Sequence, residues 1–409
     1  MLKFSRRRRI EPEPATCYAP PMASSPSPRF AITLVFGVFG VIAGFWTGTV
    51  PTVAKSVGLD GYWLGIAFTG LMLATVLAMT AGGFLARYLS SRRVLLTTIP
   101  VSALAAVLVH CITVPWIFIA ALLLYGFSLG LTDLFMNSEG SHIEVELGWP
   151  ILSGLHGVAS LCIGVCAILG SLIAVGTGPW AVTPFFVIAG GLATWVVARA
   201  IPERTPTPRA TKSSSAVPVV YGALVLLGLA VGFENAGEIT ALFWSAKLLN
   251  EVAPALASIA GLGPAFFAGC NALVRLNGDR IRARYGDTRT VVVSLIVAAI
   301  GLIGIGVLPG FALRVVAFAV MGFGTACVIP CLYAIASNSD PKARTERLGF
   351  ISMIAGPPRV LSPMLFGWIA ERASMSTAFT LSSLMLVLAL GLFLASLGSL
   401  AKPSASAAL

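Results

Sequence analysis

The chain has 409 residues, of which 57% are hydrophobic and only 11% charged, and its formal net charge is +11. Soluble domains carry about 25% charged residues to keep their surfaces hydrated, so this composition excludes a soluble enzyme built of two or three globular domains. It also excludes a disordered or collagen-like chain, because Gly and Pro occur without a short repeat.

Residues 1–29 form a polar, basic stretch rich in Pro and Ser that includes Lys3 and Arg6 to Arg9, and a disordered cytoplasmic tail is expected there. No short apolar stretch with a cleavage site precedes the first long run, so it does not read as a secretory signal peptide. From Phe30 onward, apolar runs of about 20 residues recur, each able to cross ~30 Å of hydrocarbon as a helix. They lie near Phe30–Thr52, Trp63–Ala86, Val94–Ile112, Pro115–Asn137, Ile151–Val175 and Trp180–Ile201. A second set lies near Val217–Phe243, Ala253–Val274, Val291–Leu308, Phe311–Ser337, Leu348–Ala370 and Thr377–Leu400.

The expected fold is an all-α integral membrane protein of about twelve transmembrane helices in two six-helix bundles, residues 30–201 and 217–400. A turn-and-coil stretch over 202–216 reads as a cytoplasmic linker, and 401–409 as a tail. The third and fourth spans nearly fuse around Thr113 to Pro115, and the ninth and tenth around Pro309 and Gly310. These breaks fall at equivalent places in the two halves, which supports an internal repeat.

The basic residues cluster on one side of this layout. Arg87, Arg92 and Arg93 follow the second span, while Arg199, Arg204, Arg209 and Lys212 surround the linker. Arg275, Arg280, Arg282, Arg284 and Arg289 are assigned to the loop after the eighth span. Lys342, Arg344 and Arg347 follow the tenth, and Lys402 the last. The other side holds only Lys55, Lys247 and Arg372. The positive-inside rule then places both termini in the cytoplasm of a multi-pass protein of the bacterial inner membrane. The excess charge marks orientation, and no nucleic-acid partner is expected.

Motifs for catalysis and metals give little. His110, His142 and His156 form no H-x-x-x-H pair, and the Cys162/Cys166 and Cys327/Cys331 pairs have no acidic or His partner, so they read as small buried hydrophobes. Gly126-Phe127-Ser128-Leu129-Gly130 matches a nucleophile elbow by letter, but it lies within a helical span, where glycines let helices approach. No P-loop is present, and neither an enzyme nor a cofactor is expected.

Ionisable residues inside the apolar spans are costly to bury and are functional candidates for that reason. In the fourth span Asp133, Asn137, Gly140 and Glu144 share one helical face, with Glu139 off it. Ser153, His156 and Ser160 form a stripe at similar depth in the fifth. This group is either a hydrogen-bonded clamp at the turn between the two spans or a proton or substrate site. In the seventh span Glu234 and Glu238 stand one turn apart, with Asn235 between them and Trp244 and Ser245 beyond. Two such carboxylates repel when both are ionised, which favours proton exchange at one of them, unless both simply lie hydrated in the external mouth. Gly356-Pro357-Pro358-Arg359 puts a guanidinium midway through a broken span, facing a carboxylate, a substrate anion or water. Trp46 and Thr49 before Pro51, with Tyr333 in the tenth span, suit either a small polar solute or helix packing.

These residues resemble the major facilitator superfamily, whose loop signature has a Gly, an acid four residues on and a basic cluster. Gly82-Gly83-Phe84-Leu85-Ala86-Arg87 with Arg92 and Arg93 resembles the first copy, with Arg87 where the usual Asp would stand. Gly278-Asp279-Arg280 with Arg284, Gly286 and Arg289 resembles the second and keeps its acid in Asp279. Trp46 to Pro51, Gly126 through Asp133 and Asn137 to Glu144, Leu152-Ser153 with His156-Gly157, and Glu238 with Trp244-Ser245 are similar to the YbjJ-like branch of bacterial permeases. Trp149 stands where that branch is expected to have a basic residue. The resemblance implies alternating access around a site between the bundles, lined by spans one, four, seven and ten, and favours Trp46, Asp133, Asn137, Glu234 and Glu238. The drug–proton antiporter signature, a Gly-Pro in the fifth span, is absent between Gly157 and Gly170.

The resulting expectation is a monomeric secondary transporter of a small polar solute, of the sugar or organic acid class, coupled to protons or sodium. Glu234, Glu238, Asp133 and His156 would couple the proton. Trp46, Thr49, Asn137, Asn235, Tyr333 and Arg359 would bind solute. Arg87, Arg92, Arg93, Asp279, Arg280, Arg284 and Glu144 would form the gating loops. An efflux pump for amphiphilic compounds and a non-transporting sensor are the alternatives, the latter favoured by the altered first loop signature.

Overall fold

A computed structural model describes residues 26–149, 151–204, 221–338 and 344–400. The tail expected over 1–29 therefore lies outside the described residues up to position 25, as do 205–216 of the linker with Arg209 and Lys212, Lys342, and the tail 401–409 with Lys402. The first half comprises α1 (Pro28–Val57), α2 (Gly61–Leu85), α3 (Ser91–Cys111), α4 (Pro115–Leu147), α5 (Leu152–Thr177) and α6 (Thr183–Ala200). The second comprises α7 (Tyr221–Val252), α8 (Leu262–Tyr285), α9 (Asp287–Val307), α10 (Phe311–Thr325), α11 (Val328–Asn338), α12 (Arg344–Ile354), α13 (Gly356–Arg372) and α14 (Met375–Leu400).

Among the described residues, 11 helical segments are long and apolar enough to cross a membrane, with α10 and α11 forming one of them across a break. The remaining crossing is α12 with α13, split at Ala355 ahead of Pro357 and Pro358. Two adjacent prolines remove two helical N–H donors and disfavour helix in the residue before each, so the chain restarts there. The ends are set by local chemistry. Ser27, Asp60 and Ser90 cap α1, α2 and α3 by accepting from Phe30, Trp63 and Arg93 N–H groups. Gly58 and Gly148 end α1 and α4 in the left-handed conformation, φ 76° and 72°.

Several helices outrun the hydropathy windows. α4 continues ten residues past Asn137, so Glu139, Gly140 and Glu144 are all helical. The eighth helix runs to Tyr285, which corrects the assignment of Arg275, Arg280, Arg282 and Arg284 to a loop. An apolar window marks where the lipid ends, and a helix with satisfied backbone bonds has no reason to stop there.

The helices α1 to α6 pack mainly among themselves, as do α7 to α14; α2 against α13, α5 against α8, and α1 against α7 join the two groups. Glycines make the joints close. A Cβ on Gly367 would lie 2.4 Å from the Gly61 carbonyl, and one on Gly261 would lie 2.0 Å from the Ala167 carbonyl. Gly126 and Gly130 do the same within the first group, where α4 meets Leu71 and Thr75 of α2 at backbone level, so that G-x-S-x-G run is a helix-packing device. Polar bonds across the two groups include Met364 N–H to Thr69 (3.0 Å) and Ser171 to the Ser258 carbonyl (2.9 Å). No seam between α4 and α11 comparable to these is found among the described residues.

Candidate functional site

The α7 helix carries Glu234 and Glu238 on its inner side, facing α8. Asn271 of α8 donates to Glu238 Oε1 at 3.1 Å and to Thr325 Oγ1 at 3.0 Å. One turn on, Arg275 Nη2 lies 3.5 Å from the same Glu238 oxygen. Glu234 is fully buried, and neither of its carboxyl oxygens has a hydrogen-bond partner. Asn235 beside it is half-buried.

Facing this pair is a second cluster from α4 and α5. Asn137 Nδ2 donates to the Asp133 carboxylate at 2.9 Å and to its carbonyl at 2.8 Å. That leaves Asn137 Oδ1 as the acceptor, 2.9 Å from His156 Nε2, so this ring nitrogen carries the proton. Phe36 packs edge-on against the imidazole, 5.1 Å between centroids. Arg275 acts electrostatically on both Glu234 and His156, and Arg359 on Asp133, which ties the clusters together across the inter-group boundary.

Arg359 lies in the first turn of α13, just past the break. Its Nη2 donates to Met79 Sδ at 4.0 Å, and its buried Nε has no partner. Tyr333 of α11, whose hydroxyl is 3.2 Å from Ser352 Oγ of α12, acts electrostatically on the guanidinium.

Other expected solute ligands stand apart. The buried Thr49 hydroxyl lies 2.7 Å from the Phe45 carbonyl and 2.9 Å from His110 Nε2. Trp46 packs on Phe68, His110 and Tyr125 with its indole N–H unpartnered. Phe68 in turn meets Trp244 of α7, so Trp46 sits behind the seam between the two groups and away from the charged clusters.

The loop residues fall into separate contacts. Exposed Arg87 stacks on Phe84 at 5.6 Å. Arg92 and Arg93 hold Glu203, at 3.4 and 2.7 Å, and Ser90 donates to the same carboxylate at 2.8 Å. The Ser90 hydrogen bond, helped by Arg93 and Arg92, holds the Glu203 carboxyl below its ordinary range. Next to it Arg204 donates to buried Glu139 at 3.1 Å and to Glu146 at 3.0 Å. Glu144 accepts from the N–H groups of Ile151 and Leu152, 2.7 and 3.0 Å, closing the turn before α5. Trp149 receives Arg29 on its ring face at 4.5 Å. In the second half Asp279 lies 3.8 Å from Arg282, which also holds Asp287 at 2.8 Å. Arg280 reaches Asn277, and Arg284 stacks on Tyr285.

Sequence reasoning missed Asn271, Arg275, Thr325 and Glu203 as partners. The available signal was the one-turn spacing of Asn271 and Arg275, hidden by assigning Arg275 to a loop. Among the described residues no group of three His, Cys, Asp or Glu could hold a metal.

Two groups of membrane-length helices meeting along glycine-lined seams, each with its own ion pairs, make up the fold. The family model described as Major Facilitator Superfamily matches residues 227–408. An uncharacterized MFS-type transporter of Yersinia pestis is 27% identical over 88% of this chain and 94% of its own length. Membrane protein MosC of Rhizobium meliloti is 24% identical over 91% and 90%. Among solved structures, the nucleoside transporter NupG superposes with a TM-score of 0.69 at 14% identity, covering 90% of this chain and 99% of that one. A bacterial homologue of the lysosomal transporter Spinster, inward-facing and occupied, gives 0.67 at 13% identity, covering 92% and 98%. Together these matches make the chain similar in sequence and fold to Major Facilitator Superfamily transporters.

Proposed function

We propose that this protein is a proton-coupled secondary transporter of a small polar solute, working by alternating access as a monomer in the bacterial inner membrane with both termini cytoplasmic. The basic loops argue for that orientation, and the motif residues argue for the YbjJ-like branch. On that orientation the Gly61–Gly367 and Ala167–Gly261 seams belong to the external half of the molecule.

The observation that carries the reading is Glu234. An ionised carboxylate with neither oxygen hydrogen-bonded, beside a second acid and away from water, carries a large desolvation cost, which protonation removes. Glu238, one turn away, already has Asn271 and Arg275 as partners. A proton arriving at Glu234 therefore changes the charge of the cluster that links α7 to α8, and through Arg275 it reaches His156 and Asp133 on the other side. That is the arrangement a proton needs to bias the two groups between conformations.

The test is solute uptake into proteoliposomes driven by an imposed pH gradient. Glu234→Gln should abolish accumulation against a gradient while leaving solute exchange at equilibrium. Gradient-driven accumulation that survives in the Glu234→Gln, Glu238→Gln double variant sinks the coupling assignment.

A further inference from the structure

We infer that Arg359 anchors an anionic group of the transported solute, a carboxylate or phosphate oxygen pair, so that the substrate is a small organic acid or phosphate ester and not a neutral sugar. The inference rests on the transport reading above and narrows its substrate class.

Three other cations packed within the second group meet oxygen. Arg314, itself buried, donates to the Leu308 carbonyl at 2.9 Å and to Ser376 Oγ at 2.8 Å, and it closes the α9–α10 turn onto α14. Arg282 holds Asp287, and Arg275 holds Glu238. Arg359 has five N–H donors in a planar fork suited to two oxygens, yet its hydrogen bond among the described residues goes to a thioether sulfur at 4.0 Å and its Nε is buried without a partner. A packing role would have been met by a carbonyl or hydroxyl, as at Arg314.

Its position sharpens the point. Arg359 lies in the first turn of α13, at the positive end of that helix dipole, where a cation is disfavoured and an anion favoured. Asp133 supplies countercharge from the opposite group, but its Oδ1 already accepts from Asn137, and it forms no ion pair with Arg359 within 4.0 Å among the described residues. A solute anion seated on the guanidinium would occupy the fork that Asp133 leaves free. Tyr333, whose hydroxyl meets exposed Ser352 at 3.2 Å, acts on the same guanidinium, and both hydroxyls lie on α11 and α12 beside it. They offer hydrogen bonds to hydroxyl or carbonyl groups on the rest of the solute.

The test compares melting temperatures of the purified full chain with acids and their uncharged counterparts: lactate with lactamide, succinate with succinamide, gluconate with glucose, and glycerol 3-phosphate with glycerol. A ligand stabilises the state it binds, so at least one acid should raise the melting temperature while its neutral counterpart does not. Arg359→Gln should weaken that acid by about tenfold or more, and Arg359→Lys, which keeps the charge and loses the fork, by an intermediate factor. Asp133→Asn should tighten it, because the competing carboxylate is gone. If the only stabilising probes are neutral, if no acid stabilises, or if Arg359→Gln binds the acid as well as the parent, the anion site is wrong. Uptake separates the two readings: a neutral solute accumulated with protons overturns the anion site and leaves transport standing, whereas acid binding without flux under any gradient overturns transport and leaves the site. The unliganded melting temperature of each variant reports its folding, and Arg359→Lys carries the test if the Gln variant does not fold.

Discussion

Glu371, in the last turn of α13, accepts a hydrogen bond at 3.1 Å from the backbone N–H of Gly61, the first residue of α2. The acceptor and the donor belong to different halves of the molecule, so a carboxylate of the second group caps a helix of the first. Asp60 already takes the Trp63 N–H at 2.8 Å, and Glu371 thus takes a further free donor at the same helix start. This bond joins the two halves at the seam where the start of α2 meets the end of α13.

Removing it should favour opening of that seam. A part-buried hydrogen bond to a charged group contributes about 1.5 kcal/mol, so Glu371→Ala should shift the balance toward the form with this seam open by roughly tenfold. Spin labels on Lys55 and Ser374, in a background without other reactive cysteines, would report the separation. A distance distribution identical to that of the parent removes the latch.

The glycine seams make a larger prediction. Gly367 and Gly261 have no room for a methyl group, because the atoms in the way are the backbone carbonyls of Gly61 and Ala167. Alanine at either position should force the seam apart and cut transport severely. Gly269 on α8 has nothing within 4 Å of a Cβ, so Gly269→Ala should keep transport and add up to about 1 kcal/mol of stability from helix propensity. Equal transport rates in Gly367→Ala and Gly269→Ala would show that the seam is softer than its geometry.

Much of this fold is legible in the sequence because lipid imposes a length and a polarity on each crossing. The spans, the break before Arg359 and the packing role of Gly126 and Gly130 all follow from residue types at known spacing. The site is legible only in part. Glu234, Glu238, Asp133 and Arg359 stand out because charge is costly in lipid, and the structure does bring them into two facing clusters. Their partners do not stand out. Arg275 looks like one more loop cation until α8 is seen to continue past the apolar window. Thr49 looks like a solute ligand because a hydroxyl beside a proline in a membrane span has two uses, and only its contact with His110 shows that helix packing has taken it. Pairing across helices depends on three-dimensional register, which periodicity along one helix does not contain.

Arg204 provides a stability test. Its guanidinium is held in the charged form by Glu146 and Glu139, and Glu139 is only 1% exposed with its second oxygen unpartnered. Arg204→Ala leaves a buried carboxylate without its cation, a loss of about 3–5 kcal/mol for a fully buried pair and less here because Arg204 is partly solvated. The melting temperature should fall, and Glu139→Gln in the same chain should recover most of the loss, since an amide tolerates burial without a cation. A single and a double variant with the same melting temperature would mean that Arg204 contributes through packing alone.

The last prediction separates stability from coupling at Arg275. This cation lies 3.5 Å from Glu238 and also acts on Glu234 and His156. Arg275→Gln removes the one positive charge shared by the two clusters, so Glu234 and Glu238 face each other unscreened, and the seam between α7 and α8 carries the repulsion. Stability should drop, and gradient-driven uptake should be lost. Adding Glu238→Gln restores neutrality, and Asn271 can still donate to the new amide oxygen, so the melting temperature should return. Uptake should not return, because the charge that transmits the state of Glu234 to His156 is still missing. If the double variant recovers uptake together with stability, Arg275 is a structural counterion and the link between the two clusters runs elsewhere, most directly through Asp133 and Arg359.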